Sequence, residues 1–267
     1  MVQLTLHAIL EELQVPRAGV LYVQSSTDWL QKAGFSASDT LAALIEWTRG
    51  GTLVMPAYPF RVTHAEYLAS RPRFDVARTP AAIGLIPEVF RRTAGVRRSL
   101  DPDFSIAALG ADAADIVETT AGDEDPFGET SVYARLLKRD STLLGLGVSL
   151  NTNSFVHVID SRLSDRYPRP AYAGRFAADV VDSSGAVTTV WRRALVPEFQ
   201  QRTQPSAVVS ASGRDPAMFY SRTVGDALFF RWHLPRWSTW CDSHGRCAVE
   251  AGEWPCWLSR LGDAVPA

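Results

Sequence analysis

Val20-Leu21-Tyr22-Val23-Gln24-Ser25-Ser26-Thr27-Asp28 is the stretch on which the fold is read. A short apolar run gives way to Ser25-Ser26-Thr27-Asp28, side chains whose oxygens cap the free backbone N–H groups at a helix start. The transition is strand to helix, and it recurs along the chain. Ser38-Asp39 precedes a helix over Thr40 to Thr48, in which Leu41, Leu44, Ile45 and Trp47 fall at roughly helical spacing. Gly50-Gly51 stops it, and Thr52-Leu53-Val54-Met55 is the next strand, ended by Pro56. Ile83 to Arg92 reads as a helix and Ser105 to Leu109 as a short strand. Asp112 to Thr119 and Thr130 to Lys138 read as helices, and Leu143 to Val148 returns to strand. This alternation predicts an α/β fold with a mixed, largely parallel central sheet flanked by helices. In the C-terminal half, Val180-Val181 and Val187 to Trp191 around Ser183-Ser184-Gly185 predict an antiparallel β hairpin within Arg175 to Arg193. The aromatic stretch from Phe229 to Trp257 fits no single pattern. With no repeat or linker in its 267 residues, the chain is expected to form a single domain over 1–267.

Hydrophobic content of 46% suits a globular core, and no apolar run approaches the ~20 residues of a membrane span. Met1-Val2-Gln3-Leu4 has neither a basic region nor a long apolar stretch, so no secretory signal is expected and the expected location is cytoplasmic. A net charge of -2 argues against nucleic acid as a partner, since a polyphosphate calls for a basic stripe. Arg91-Arg92 and Arg97-Arg98 are local clusters that suit a small phosphorylated ligand. Ser25-Ser26, at a helix start after a buried strand, stands where α/β proteins hold phosphate, and equally well serves as a plain helix cap. Cys241, His244, Cys247 and Cys256 offer a spacing that could supply zinc ligands but matches no strong template. Ordinary thiols and no bound metal are expected there.

His157-Val158-Ile159-Asp160, after Asn153-Ser154, places an imidazole and a carboxylate three residues apart at the start of a further helix. Residues so spaced share one helical face. Asp160 can hold one ring nitrogen while the other faces a substrate, which is what a general base requires. On the residues alone, a structural histidine fits equally well.

Several segments, in order, resemble the aminoglycoside 3-N-acetyltransferase (antibiotic N-acetyltransferase) family. Tyr22-Val23-Gln24-Ser25-Ser26 is similar to its strand ending in a His-Ser-Ser turn, with Gln24 in place of His. Gly51-Thr52-Leu53-Val54-Met55-Pro56 is similar to its Gly-Thr-Leu-(apolar)2-Pro strand. Phe74-Asp75, Thr79-Pro80, Gly84, Phe90-Arg91-Arg92, Arg98-Ser99, Ser105, Ala108, Gly110, Pro126-Phe127-Gly128 and Ser131 follow. Gly145 and Gly147 then lead into Asn153 to Asp160, where the family has Asn-Thr-x-x-His-x-x-Glu, and Tyr167-Pro168 continues the match. The resemblance runs from about Leu21 to Tyr172 and returns weakly at Val224 to Ala227; residues 173–267 are otherwise divergent, above all Trp237 to Trp257.

The resemblance implies transfer of an acetyl group from acetyl-CoA, the acyl donor substrate, to an amine of an aminoglycoside or related amino sugar. It implies His157 as general base, Asp160 as its orienting partner, and Ser154 beside the thioester. Ser25 and Ser26 would contact the CoA pyrophosphate, and Ser99 and Ser105 would lie along the pantetheine or phosphate path. Because the three cysteines fall outside the matched region, direct attack is expected rather than a thiol relay. Asp101-Pro102-Asp103-Phe104-Ser105 departs from the family's His-Pro-x-His-Ser, so the acceptor side diverges. A cationic acceptor calls for carboxylates, and Asp101 and Asp103 are the candidates, with Asp123, Glu124 and Asp125 as further possibilities. Two other readings stay open: a biosynthetic N-acyltransferase for a nucleotide-linked amino sugar, and a non-catalytic CoA-binding protein.

Overall fold

The computed structural model describes residues 4–118 and 123–261. Ten strands form two sheets: β1 (Val20–Ser25), β2 (Thr52–Pro56), β3 (Arg73–Asp75), β4 (Arg97–Arg98), β5 (Ile106–Gly110), β6 (Ser141–Leu146), β7 (Tyr172–Val181), β8 (Val187–Leu195), β9 (Phe219–Val224) and β10 (Ala227–His233). The main sheet runs β4-β5-β2-β1-β6-β10-β9, and the smaller one β3-β7-β8. At the centre β2, β1 and β6 are parallel, with Tyr22 opposite Val54 and Leu143. Antiparallel β5 and β10 flank this trio. The hairpin expected in the second half is β7–β8.

Alternation along the central strands explains the layering. Val20 and Tyr22 point into one apolar layer with Val54, Leu143 and Trp232, under the helices Val132–Leu137, Val156–Leu163 and Leu234–Glu250. Leu21 and Val23 point into the other, with Leu53, Met55 and Leu144, under Leu6–Glu12, Ala37–Trp47 and Leu85–Arg91. Side chains on a strand face opposite sides at every step, so an apolar run covered on both faces reads as continuous hydrophobicity.

The expected helix from Asp112 to Thr119 is realised over Ala113–Val117; Thr119 lies outside the described residues, as do Met1 to Gln3. The stretch that fitted no pattern resolves into β10, antiparallel to β6, and a 17-residue helix, Leu234–Glu250, followed by a 3₁₀ turn, Cys256–Leu261. Pro235 is tolerated in that helix because its missing N–H lies in the unpaired first turn, where His233 supplies the cap to Arg236. Among the described residues no helix is long and apolar enough to cross a membrane.

β1 pairs with β2 on one side and β6 on the other, so the connections diverge at its C-terminal end. In open α/β sheets that divergence leaves a crevice beyond the strand ends. Ser25, Pro56 and the loop after Leu146 all reach it.

Candidate active site

The loop after β6 turns at Gly147, whose φ of +67° favours glycine. It reaches Asn153, whose Oδ1 accepts from the Phe155 N–H at 3.0 Å and opens the helix Val156–Leu163. Val156, Val158, Ile159 and Leu163 are buried in the core. Each such side chain contributes roughly 1.5–3 kcal/mol, enough to hold two polar residues at the same depth. Those two are His157 and Asp160.

Nδ1 of His157 lies 3.1 Å from Oδ2 of Asp160. Oδ1 of Asp160 accepts from Tyr167 Oη at 3.0 Å and from Trp257 Nε1 at 2.9 Å. An indole N–H only donates, so Oδ1 of Asp160 accepts in this cluster, and as a carboxylate Asp160 takes the hydrogen of His157 Nδ1 on Oδ2. Nε2 is left as the basic nitrogen. Tyr172 Oη donates to the His157 carbonyl at 3.1 Å, and Phe127 packs on the ring with centroids 5.2 Å apart. His157 is therefore fixed on one edge and open on the other.

That edge lines a cavity of about 460 Å³ with Tyr58, Phe60, Arg61, Phe104, Asn151 and Gln200. A second cavity, about 290 Å³, is lined by Gln24, Ser25, Pro56, Pro87, Val148 and Thr152. Tyr58, Ile83 and Ser154 line both, so the cavities meet at Ser154. Tyr133 Oη donates to Tyr58 Oη at 2.6 Å, and Tyr58 donates to Ser154 Oγ at 3.2 Å, with the Tyr22 hydroxyl 3.3 Å from that of Tyr58. Burial raises the Tyr58 phenol above its ordinary value even against its hydrogen bonds with Ser154, Tyr133 and Tyr22, so it remains a donor at neutral pH. Gln24, standing in for a histidine, clamps the loop: its Nε2 donates to the Thr152 carbonyl at 2.7 Å and its Oε1 accepts from Thr152 Oγ1 at 3.1 Å.

Of the residues singled out from sequence, the structure brings His157, Asp160, Ser154 and Ser25 to this crevice. Oγ of Ser25 is buried without a hydrogen-bond partner in the protein, and Ser25 lines the smaller cavity. Ser26 is the N-cap of the helix Thr27–Lys32, and its side chain makes no capping bond.

Other expectations require correction. Ser99 and Ser105 are fully buried, and protein groups use their hydroxyls: Ser99 Oγ accepts from the Ile106 N–H at 3.0 Å, and Ser105 Oγ donates to the Ala57 carbonyl at 2.7 Å. Neither lines either cavity. Asp103 is also fully buried, paired with His64 Nε2 at 3.1 Å and Arg192 Nε at 3.5 Å. Asp101 pairs with Arg192 Nη2 at 3.1 Å and faces Asp123 and Asp125 rather than His157. Burial would raise Asp103, but the Arg192 charge and the His64 hydrogen bond outweigh it and hold the carboxyl at about 2. Burial pushes Asp101 up to about 6 against the pull of Arg192. Glu124 pairs with Arg175, and Asp125 accepts from Ser161. Three of the four clustered arginines are engaged within the protein: Arg91 and Arg92 pair with Glu88, and Arg98 donates to the Thr79 and Ala57 carbonyls. Cys241 is buried and Cys247 exposed on the long helix, while His244 Nε2 accepts from the Cys256 N–H at 3.2 Å. Among the described residues no three such side chains are gathered as a metal site.

Four residues were given no role in the sequence reading: Tyr58, His64, Tyr167 and Trp257. Tyr58 alone had a usable signal, because it lies just past the end of a central parallel strand, where α/β sites collect. His64 and Trp257 act through partners distant in sequence, whereas Tyr167 reaches Asp160 from the turn just after its helix.

Comparisons with known proteins bear on the family and the fold. The family model for aminoglycoside 3-N-acetyltransferase matches residues 22–234. Aminoglycoside N(3)-acetyltransferase VII of Streptomyces paromomycinus is 37% identical over 175 residues, covering 60% of this chain and 57% of that protein. Aminoglycoside N(3)-acetyltransferase VIII of Streptomyces fradiae is 29% identical over 160 residues, covering 59% and 53%. The alignments thus span little more than half the length of these relatives. Among solved structures, aminoglycoside acetyltransferase AAC(3)-IVa in complex with apramycin superposes with a TM-score of 0.67 at 22% identity, covering 92% of this chain and 94% of that one. AAC-IIIb with CoASH gives 0.68 at 21% identity, covering 96% of each. The overall fold is shared with both, including the C-terminal region that has few recognisable motifs.

Proposed function

The chain belongs to the aminoglycoside 3-N-acetyltransferase family, and from that premise we propose that it moves an acetyl group from acetyl-CoA to an amine of an aminoglycoside or related amino sugar. One observation carries the reading: a carboxylate-held imidazole opens onto one of two cavities that meet at Ser154. Transfer between two substrates needs such a seam, with a base beside it.

The donor lies in the smaller cavity over Ser25 and Ser26, where the unpartnered Ser25 hydroxyl and the backbone at the start of the following helix receive its phosphates. Its thioester reaches Ser154. The acceptor occupies the larger cavity, where Tyr58, Phe60 and Phe104 offer apolar faces to a sugar ring and Asn151 and Gln200 offer polar groups to its hydroxyls. An ammonium cannot attack a carbonyl, so Nε2 of His157 takes its proton. The amine nitrogen then bonds to the thioester carbon, the C–S bond breaks, the proton held by His157 passes to the departing CoA sulfur, and the nitrogen releases its second proton to solvent as the neutral amide forms. Base assistance of this kind is worth ~10²–10⁴-fold. Ser154, in contact with the Tyr58 hydroxyl, is placed to donate to the developing oxyanion; losing one such donor costs ~3–4 kcal/mol.

The lining also supports a second reading of the acceptor. It includes Arg61 and, among the described residues, no carboxylate. That suits an amino sugar bearing phosphate, such as a nucleotide-linked one, better than a polycation. Purified protein with acetyl-CoA and a thiol-detecting reagent tests both readings, using kanamycin-type aminoglycosides and nucleotide amino sugars as acceptors. Acceptor-dependent CoA release is expected, and the preferred acceptor decides between the two. If no amine in either set promoted release, the transferase reading would be wrong.

A further inference from the structure

Asp160 is held by more than His157, and one of its partners comes from the part of the chain where family motifs give out. Trp257 is fully buried in the 3₁₀ turn Cys256–Leu261, and its Nε1–H donates to Oδ1 of Asp160 at 2.9 Å. We propose that Trp257 is a positioning residue for transfer, locking the Asp160 carboxylate so that His157 presents Nε2 to the acceptor amine. The inference rests on the functional reading above.

Three features argue that this contact is built rather than incidental. The first is how the donors divide on the carboxylate. Oδ2 faces His157, while Trp257 and Tyr167 both donate to Oδ1. Two donors from different elements on one oxygen fix the carboxylate plane, and the plane in turn fixes the imidazole that bonds the other oxygen. The second is the anchoring of the turn. The Gln204 N–H donates to the Trp257 carbonyl at 2.7 Å, the Cys256 N–H donates to His244 Nε2 at 3.2 Å, and Arg169 Nη2 donates to the Leu261 carbonyl at 2.9 Å.

The third is Gly245, in the interior of the long helix, where glycine is a poor helix former. A Cβ there would come within 2.6 Å of Leu163 Cδ1 and 3.1 Å of Trp257 Cη2. The missing side chain lets the long helix close on the indole and on the helix carrying His157 and Asp160. The tail is thus a brace clamped behind the base, and its tryptophan touches no substrate.

Trp257→Phe keeps an aromatic ring and deletes the donor. Because the lost bond is made to a charged group, kcat should fall by about tenfold or more. KM for both substrates should stay within about twofold; the melting temperature should fall, because a buried donor and some packing are lost, but a structural role alone would leave kcat of the folded variant intact. Combined with His157→Ala, the substitution should cause no further loss, because a positioning residue acts only through the group that it positions. A second readout does not depend on how that variant folds. The Trp257 indole N–H resonance should move in Asp160→Asn, and Gly245→Ala, which presses on the ring, should lower kcat in the same way. Normal kcat in folded Trp257→Phe, an equal loss in the His157→Ala background, or an indole resonance unmoved by Asp160→Asn would each overturn the proposal. If His157→Ala itself retained full turnover, the functional reading would be the one that failed.

Discussion

Among the described residues two histidine–aspartate pairs sit at the same separation, and only one of them borders a cavity. His157 Nδ1 and His64 Nε2 each lie 3.1 Å from an aspartate oxygen. The His64 and Asp103 side chains are both 0% exposed, whereas the His157 side chain is 11% exposed above an inaccessible Asp160. The second nitrogen makes the difference. His64 Nδ1 accepts from the Leu195 N–H at 2.9 Å, so both of its nitrogens are committed to the protein, while His157 keeps Nε2 beside a cavity. The aspartates differ in kind as well. Asp103 faces a guanidinium, Arg192, and belongs to an internal charge cluster; Asp160 is held by two neutral donors. A carboxylate–imidazole pair is thus a brace or a base according to what takes the ring's other edge.

The contrast can be tested from both ends. His157→Ala should reduce kcat by ~10²–10⁴-fold with CoA affinity unchanged, as measured by steady-state turnover and calorimetric titration. Near-normal turnover would remove the asymmetry between the pairs. His64→Leu should act on stability instead. It leaves the buried Leu195 N–H and one oxygen of Asp103 without their partner, at roughly 1–3 kcal/mol for each group. Urea unfolding would register this as a lower midpoint, and an unchanged midpoint would mean that the inner pair braces nothing.

Asp101 gives the smallest and most pH-dependent effect. Its folded-state value, about 6, lies above its ordinary 3.8, so the folded protein binds the extra proton between those limits. Stability contributed by that proton is complete below about 4 and is lost as pH rises through 6. The gap between the two values sets an upper bound of about 3 kcal/mol on the effect. Asp103 has the opposite sign: held at about 2, it contributes stability that is present above about 4 and lost as pH falls toward 2. Asp101→Asn should flatten the decline between pH 4 and 6 in a series of thermal melts and leave the acid limb in place. A decline that persists in the variant would assign it to another group.

The fold was legible wherever information is local. Leu21 and Val23 against Tyr22 give the two faces of β1, and Gly50-Gly51 lies just past the helix Ala37–Trp47, which starts before the expected Thr40 because Ser36 rather than Ser38 caps it. The His157–Asp160 pair was legible because three residues of helix join its members. What escaped was long-range. Asp101 and Asp103 resemble free acceptor carboxylates until Arg192, on the β8 strand of the second sheet, reaches them. Ser99 and Ser105 look available until the strand pairing around them places both in the interior. Trp257 meets Asp160 across 97 residues of sequence. The segment that carries it looked shapeless because Pro235 and Gly245 interrupt helical propensity, one in an unpaired first turn and the other at a close packing contact.

The paired cavities joined at Tyr58, Ile83 and Ser154 have a kinetic consequence. Under the proposed function donor and acceptor have separate chambers, so neither must vacate its place before the other arrives. Initial rates measured against one reactant at several fixed levels of the other should give reciprocal plots that intersect, the signature of a ternary complex, rather than the parallel family of a shuttle that passes its cargo through a modified enzyme.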